Sequence, residues 1–431
     1  MRTKLIILIC ILFLFRLAYG LCSEFWFDDE LQIYLIGLKS FTTHTWPYYG
    51  PDLVYTNTQI QGGLQGLLVS VPFYISKIPE APIIFLNILS FASLSFLATY
   101  TTKRIKGIPA WLVWTIIMTT PWTMYYSTRV VNPSYTLVFS IPFIISMIDL
   151  LPIYKKSVIN PKLGFFMIGI CTTLIMQLHM SWVLLIPLTG VIFLLRIKTK
   201  FKHQLVNFSL YATGLFLGAL TLIPTLLLAQ DLSPGTASNV VFNIDNWSNL
   251  PVILLRFFSF ASNEIPYILG GDTATRLAVF YDQIWMSPVM IFLLVIGFLQ
   301  VGLFTILLFN KKLSEEFRKV KLLVIGSVLI LYLSFFFSIK GPSSHTFYIM
   351  LPLAIFYAFY SYQWLIAKKT YTLKLLKLMA ICGIILHIGL GVYNFRNKSL
   401  YKDRAKVEHA LEEMDYTVLG TRRADDWGYG Y

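Results

Sequence analysis

The sequence predicts an all-α, polytopic membrane protein, and three observations carry that prediction. Of 431 residues, 56% are hydrophobic and only 13% are charged, against about 25% charged in an ordinary soluble domain. Apolar segments of spanning length recur along the whole chain. The basic residues sit in short clusters between them. Low charge with high hydrophobicity excludes a disordered chain, and four cysteines in 431 residues exclude a disulfide scaffold. Helices are the economical way to satisfy backbone groups inside a bilayer, and the alternating pattern of a barrel is absent.

The elements follow in order. Residues 1–22 open with Arg2 and Lys4 and run apolar from Leu5 to Phe15. A signal peptide shares this pattern; an uncleaved first span is the preferred reading, because so many apolar segments follow. Those segments lie near 60–78, 82–102, 109–125, 134–151, 163–179, 181–195, 205–229, 288–309, 322–339, 346–366 and 378–393. About 11 to 13 spans are expected, with a first outer loop carrying short surface helices. Residues 1–394 form the membrane domain and 395–431 a polar tail, in which 402–415 reads as an amphipathic helix. Cys10, Cys22, Cys171 and Cys382 lie in or beside apolar runs and read as small core residues.

The net charge of +14 is a matter of topology and not of nucleic acid. Sixteen cations lie in four short loops: Lys155, Lys156 and Lys162; Arg196, Lys198, Lys200 and Lys202; Lys311, Lys312, Arg318, Lys319 and Lys321; Lys368, Lys369, Lys374 and Lys377. The long loops 23–59 and 230–287 hold ten acids and only Lys39, Arg256 and Arg276. The positive-inside rule therefore predicts basic loops and N-terminus in the cytoplasm, long loops outside. Lys103, Arg104 and Lys106 conflict with that parity. Either 60–78 or 82–102 does not cross fully, or this cluster breaks the rule.

Polar residues at the outer edge of the bilayer are costly there and so are informative. Asp28, Asp29 and Glu30 follow the first span. They suit a solvated helix start, where the dipole favours acids, or a surface carboxylate acting as base or metal ligand. Arg129, in Ser127-Thr128-Arg129 after Pro121, is an interfacial anchor or a guanidinium for a lipid-linked phosphate. His179, in Gln177-Leu178-His179, is a packing residue or a donor to phosphate oxygen. His345 and Lys340 share another outer turn before Pro352. Arg256 and Arg276 add outer cations, with Glu264, Asp272 and Asp282 available to pair them locally. No P-loop, GxSxG, HExxH or CxxC motif occurs, and no internal repeat is visible.

Together these residues resemble the GT-C class of integral-membrane glycosyltransferases, on the bacterial branch related to protein O-mannosyltransferases and the lipid A aminoarabinose transferase. The resemblance rests on Asp29-Glu30, Ser127-Thr128-Arg129 after Pro121, Gln177-Leu178-His179, and His345-x-x-Tyr348 leading into Pro352. It runs in order over about residues 1–390, and Asp426-Trp427 is similar to the outer C-terminal end of some relatives, which implies an odd number of spans. The resemblance implies a polyprenyl-phosphate sugar donor and inverting transfer outside the cytoplasm, in a bacterial cytoplasmic membrane. The acceptor would be a glycan, lipid or protein. Asp29 would be the base, or Asp28 if the extra acid shifts it by one, with Glu30 beside them. Arg129 and His179, with His345, Arg256 and Arg276, would hold the leaving phosphate. Divalent metal serves some relatives and not others, so no ion is assigned. Two departures stand out: Asp28 adds a third acid, and Asn132-Pro133 replaces the carboxylate some relatives carry after the arginine. The competing readings are a lipid-linked glycan polymerase or ligase leaning on Arg256 and Arg276, and a transporter or flippase with no chemistry.

Overall fold

The computed structural model describes residues 2–23, 28–53, 58–196, 201–228, 242–264, 269, 273–338, 341, 344–397 and 400–419. The chain is about 80% helical, as a multi-pass membrane protein requires. Among the described residues five helices are long and apolar enough to cross a membrane: Thr3–Ser23, Ala81–Arg104, Ile284–Phe309, Thr346–Lys368 and Tyr371–Arg396. Shorter apolar helices accompany them, among them Thr136–Leu150 and Pro161–Met176.

The bundle has two chemically different ends. Helix α1 (Arg2–Ser23) runs from the basic end to the opposite one. There follow α2 (Asp28–Thr43), a hairpin of β1 (Tyr49–Leu53) and β2 (Thr58–Gln61), and α3 (Leu64–Ile75). Helix α4 (Ala81–Arg104) returns. Helices α5 (Ala110–Thr119) and α6 (Pro121–Ser127) form one broken crossing, because Pro121 cannot supply the N–H that would continue α5. Then come α7 (Thr136–Leu150), α8 (Pro161–Met176), a 3-10 turn (Met180–Leu184) leading into α9 (Leu185–Leu195), α10 (Phe201–Gly218) and α11 (Ile223–Leu228). The second half comprises α12 (Leu250–Ser259), α13 (Thr273–Asp282), α14 (Ser287–Phe309), α15 (Glu315–Phe335), a 3-10 turn (Ser344–Met350), α16 (Leu351–Lys368), α17 (Tyr371–Asn397) and α18 (Leu400–Glu412).

Side-chain contacts fix which termini share an end. At the basic end Arg104 pairs with Asp149 at 2.5 Å, Arg196 donates to the Leu150 carbonyl, and the Tyr154 and Tyr360 hydroxyls meet at 2.6 Å. Asp149 also accepts from Tyr100 and from the backbone N–H groups of Val158 and Ile159. At the other end Asn394 donates to Ser23, and Asn246 donates to the carbonyls of Phe335 and Ser338. Among the described residues eleven segments join the two ends: α1, α4, α5–α6, α7, α8, α9 with its 3-10 turn, α10, α14, α15, α16 and α17.

Four features differ from the sequence reading. The predicted span 60–78 reduces to α3, 12 residues lying against α2 at one end; at 1.5 Å per residue it reaches about 18 Å, too little to cross. This removes the parity conflict, since α4 then delivers Lys103, Arg104 and Lys106 to the basic end. The expected outer loop 230–287 sends α12 into the bundle, where Phe258 packs on Phe304 and Tyr357. The first loop carries a β-hairpin beside its helix, with Tyr49 opposite Gln61 and Leu53 opposite Thr58. The tail carries the expected helix, and that helix is docked. Helix α17 runs through the 394/395 boundary, and α18 buries Val407, Ala410 and Leu411 in one apolar cluster with Ile33, Leu38 and Phe73. Arg404 of α18 forks onto Glu80, with Nε to Oε1 at 2.6 Å. Lys39 lies over the Tyr416 ring, and burial pushes its ammonium below the usual lysine range. Residues 420–431, with Asp426 and Trp427, lie outside the described residues.

The cysteines are free: Cys171 and Cys382 buried, Cys22 partly so and Cys10 exposed on α1.

Candidate functional site

The end opposite the basic clusters gathers most of the predicted polar segments. Gly20 of α1 packs so closely on the Thr128 carbonyl that a side chain there would displace it. The same carbonyl accepts from Asn87 of α4 at 2.9 Å. The turn after α6 is thereby clamped by two helices, and it carries Arg129.

Arg129 is 5% exposed, and its guanidinium lies 3.9 Å over the Tyr125 ring, a geometry that fixes a cation on an aromatic face. The turn is closed by Ser134, whose hydroxyl donates to the Arg129 carbonyl at 2.7 Å and accepts from the Val131 N–H. Gln65 of α3 reaches the Asn132 carbonyl at 3.4 Å. Val130 and Tyr135 of this turn share an apolar cluster with Ile33 and Tyr34 of α2 and with Leu178. The residues next to Arg129 and His179 therefore lie in one packed unit with α2.

His179 is buried and heads the 3-10 turn after α8. Its Nδ1 accepts the Ser181 N–H at 3.1 Å. In the neutral ring the proton then resides on Nε2, which makes Nε2–H a donor. Gln177 divides from it in role: its amide donates to the Thr173 and Gly218 carbonyls and its oxygen accepts from Thr221. Gly62, at φ +106°, lets the hairpin turn away against that same side chain. Gln177 is an interhelical tie and not a ligand.

Asp28, Asp29 and Glu30 form the first turn of α2; their side chains lie outside the described residues, as does that of His345, whose backbone belongs to the Ser344–Met350 turn. That turn borders the same region, since Tyr348 packs on Tyr126 with ring centroids 5.0 Å apart. Lys340 lies outside the described residues. Arg256 sits elsewhere. On α12 it donates to both carboxylate oxygens of Glu264, at 2.8 and 3.1 Å. Arg276 lies on α13.

One buried charge stands outside the predicted site residues. Arg16 of α1 is fully buried. Its Nη1 donates to the Met118 carbonyl at 2.6 Å, and its Nη2 to Ser127 Oγ at 2.7 Å and the Thr123 carbonyl at 3.3 Å. Met118 O is one of the carbonyls released by the break at Pro121; another, Ile117 O, accepts from Thr123 Oγ1 at 3.0 Å. A cation at the carbonyl end of α5 is electrostatically favourable, which is how a charge whose hydrogen bonds run to neutral groups is tolerated here. The signal available in the sequence was a lone arginine inside an apolar run together with a Thr-Pro break.

Chemically, this end offers a guanidinium held on an aromatic face and an imidazole N–H donor. That is a donor set for an anion. Among the described residues no group of three His, Cys, Asp or Glu side chains lies close enough to hold a metal ion. No known family model, curated protein or solved structure matches the chain.

Proposed function

We propose that this protein is a GT-C-type glycosyltransferase that moves a sugar from a polyprenyl-phosphate donor to an acceptor at the α2 end, with inversion. On this reading the basic end faces the cytoplasm and both the α2 end and the C-terminus face outward, in a bacterial cytoplasmic membrane. The observation that carries the reading is the clustering of the Arg129 turn, the His179 turn and α2 around one apolar cluster.

In the proposed mechanism Asp29, flanked by Asp28 and Glu30, takes the proton of the attacking acceptor hydroxyl. The bond from the anomeric carbon to the lipid phosphate breaks as the new glycosidic bond forms. Negative charge grows on the departing phosphate, and Arg129 and His179 Nε2–H, with His345, stabilise it. Arg256, already neutralised by Glu264, has no part in this scheme.

A specific observation favours a second reading, a transporter or flippase. Broken helices and charge pairs within the bundle are features of transport proteins, and α5–α6 with the partly buried Arg256–Glu264 pair are of that kind. Proteoliposomes loaded with a radiolabelled polyprenyl-phosphate sugar separate the two. The expected result is label transferred to acceptor, lost at least 100-fold in Asp29→Ala, with donor binding retained; Arg129→Ala weakens donor binding about tenfold or more. Full turnover by Asp28→Ala, Asp29→Ala and Glu30→Ala alike would remove the acidic turn from the chemistry. Label that crosses the membrane without transfer would establish the transporter.

A further inference from the structure

At the basic end, α5, α16 and α17 meet in a patch of cations with no counter-charge among the described residues. Gln363 donates to the Lys106 carbonyl at 2.9 Å and ties the end of α16 to the loop before α5. Lys368 Nζ lies 3.9 Å over the Trp364 ring, and Lys377 Nζ lies 6.0 Å over Trp111. Lys369 and Lys374 complete the group. No acid occurs between Glu80 and Asp149 or between Glu316 and Asp403, and Asp149 is taken by Arg104. Among the described residues, Lys106 Nζ reaches no more than the Thr102 carbonyl, at 3.5 Å. The starts of α5 and α17, at Ala110 and Tyr371, add the positive ends of two helix dipoles.

The neighbouring basic loop provides a contrast. There Lys319 pairs with Glu315 at 2.8 Å and Lys321 donates to the Asn310 carbonyl, so that cluster supplies part of its own compensation.

We infer that the Lys368–Lys377 patch is a headgroup site for an anionic membrane phospholipid. Two chemistries on the page select a lipid over a free anion. The cations ask for phosphate, which lysine binds as a point charge. On α17 the face bearing Lys374 and Lys377 continues, four residues on from each, as Leu378 and Ile381, both exposed, with exposed Trp111 alongside. At helical spacing this is a single stripe, charged at its end and apolar into the bilayer. Trp111 and Trp364 stand where indole rings sit at headgroup level. The site lies at the opposite end of the bundle from the proposed transfer site and does not depend on that reading.

The test is native mass spectrometry of the detergent-purified full chain titrated with phosphatidylglycerol, phosphatidylcholine and soluble glycerol phosphate. Phosphatidylglycerol should bind and the other two should not compete. Lys368→Gln with Lys377→Gln should weaken binding about 25-fold, roughly fivefold per lysine. Lys311→Gln with Lys312→Gln, in the neighbouring loop, should leave it within about twofold. A matched elution profile and helical content show that each variant is folded. Equal binding by the Lys368/Lys377 variant, equal binding of phosphatidylcholine, or full competition by glycerol phosphate would each overturn the assignment.

Discussion

Replacing Arg16 tests whether the broken helix is held by carbonyl geometry or by charge alone. Arg16→Met removes two short hydrogen bonds from a charged donor, to Met118 O and Ser127 Oγ, together about 3–6 kcal/mol. It also removes the cost of keeping a cation inside the membrane, roughly 3 kcal/mol on insertion scales. The net loss is about 0–3 kcal/mol. Arg16→Lys keeps that burial cost, and a single ammonium cannot span both ends of the fork. It loses one such bond, about 1.5–3 kcal/mol, with nothing regained. The conservative replacement is therefore expected to be no more stable than the apolar one. Reversible unfolding in bicelles, followed by fluorescence of the fully buried Trp122, measures both. A lysine variant within about 0.5 kcal/mol of the parent, beside a methionine variant more than 5 kcal/mol down, would refute the carbonyl-capping account.

Two further predictions concern the ends of the bundle. Asp149→Asn removes the counterion of Arg104 and weakens an acceptor that serves Tyr100 and two backbone N–H groups; a loss of about 2–4 kcal/mol is expected in the same unfolding assay, and a loss under 0.5 kcal/mol would show the network to be dispensable. For α18, Leu411→Ala should open residues 400–419 to limited proteolysis, since a fully buried leucine is worth about 2–5 kcal/mol. Arg404→Ala should do so far less, because its pair with Glu80 is partly exposed and such pairs contribute at most about 1 kcal/mol. The reverse order would mean that the ion pair and not the apolar contact docks the tail.

The crossing helices were legible because a bilayer demands long apolar runs, and α4, α14 and α17 supply them. Where the structure departs from expectation, the departure is short-range or tertiary. Residues 64–75 are apolar enough to read as a span, but they are 12 residues long and pack on α2. Helix α12 was invisible because Arg256 interrupts a 10-residue element too short to register, and its charge is answered by Glu264 only after folding. Arg16 meets Met118 across 102 positions, a pairing no spacing rule encodes. Within the candidate site, Arg129 and His179 could be singled out as costly polar residues. The separation of Gln177 from His179 could not, because it depends on Gly218 and Thr221 of the next helix hairpin.

The two ends of the bundle are built on different principles, and the difference bears on where chemistry can occur. At the basic end, Asp149 ties together Arg104, Tyr100 and two backbone N–H groups, and Tyr154 meets Tyr360. At the α2 end the crossings are interrupted: at Thr120-Pro121, between α8 and α9, and at Ser344–Met350. Each interruption releases backbone groups that a bilayer cannot solvate, and side chains answer them, as Arg16 and Thr123 do for carbonyls and His179 does for the Ser181 N–H. A continuous helix offers a ligand only its side chains. A broken one also offers directed N–H and C=O groups at fixed positions, the preorganisation that stabilises developing charge. The same breaks that make this end expensive to fold hold backbone and side-chain groups at fixed positions, and Arg129 stands at the exit of the most heavily supported of them.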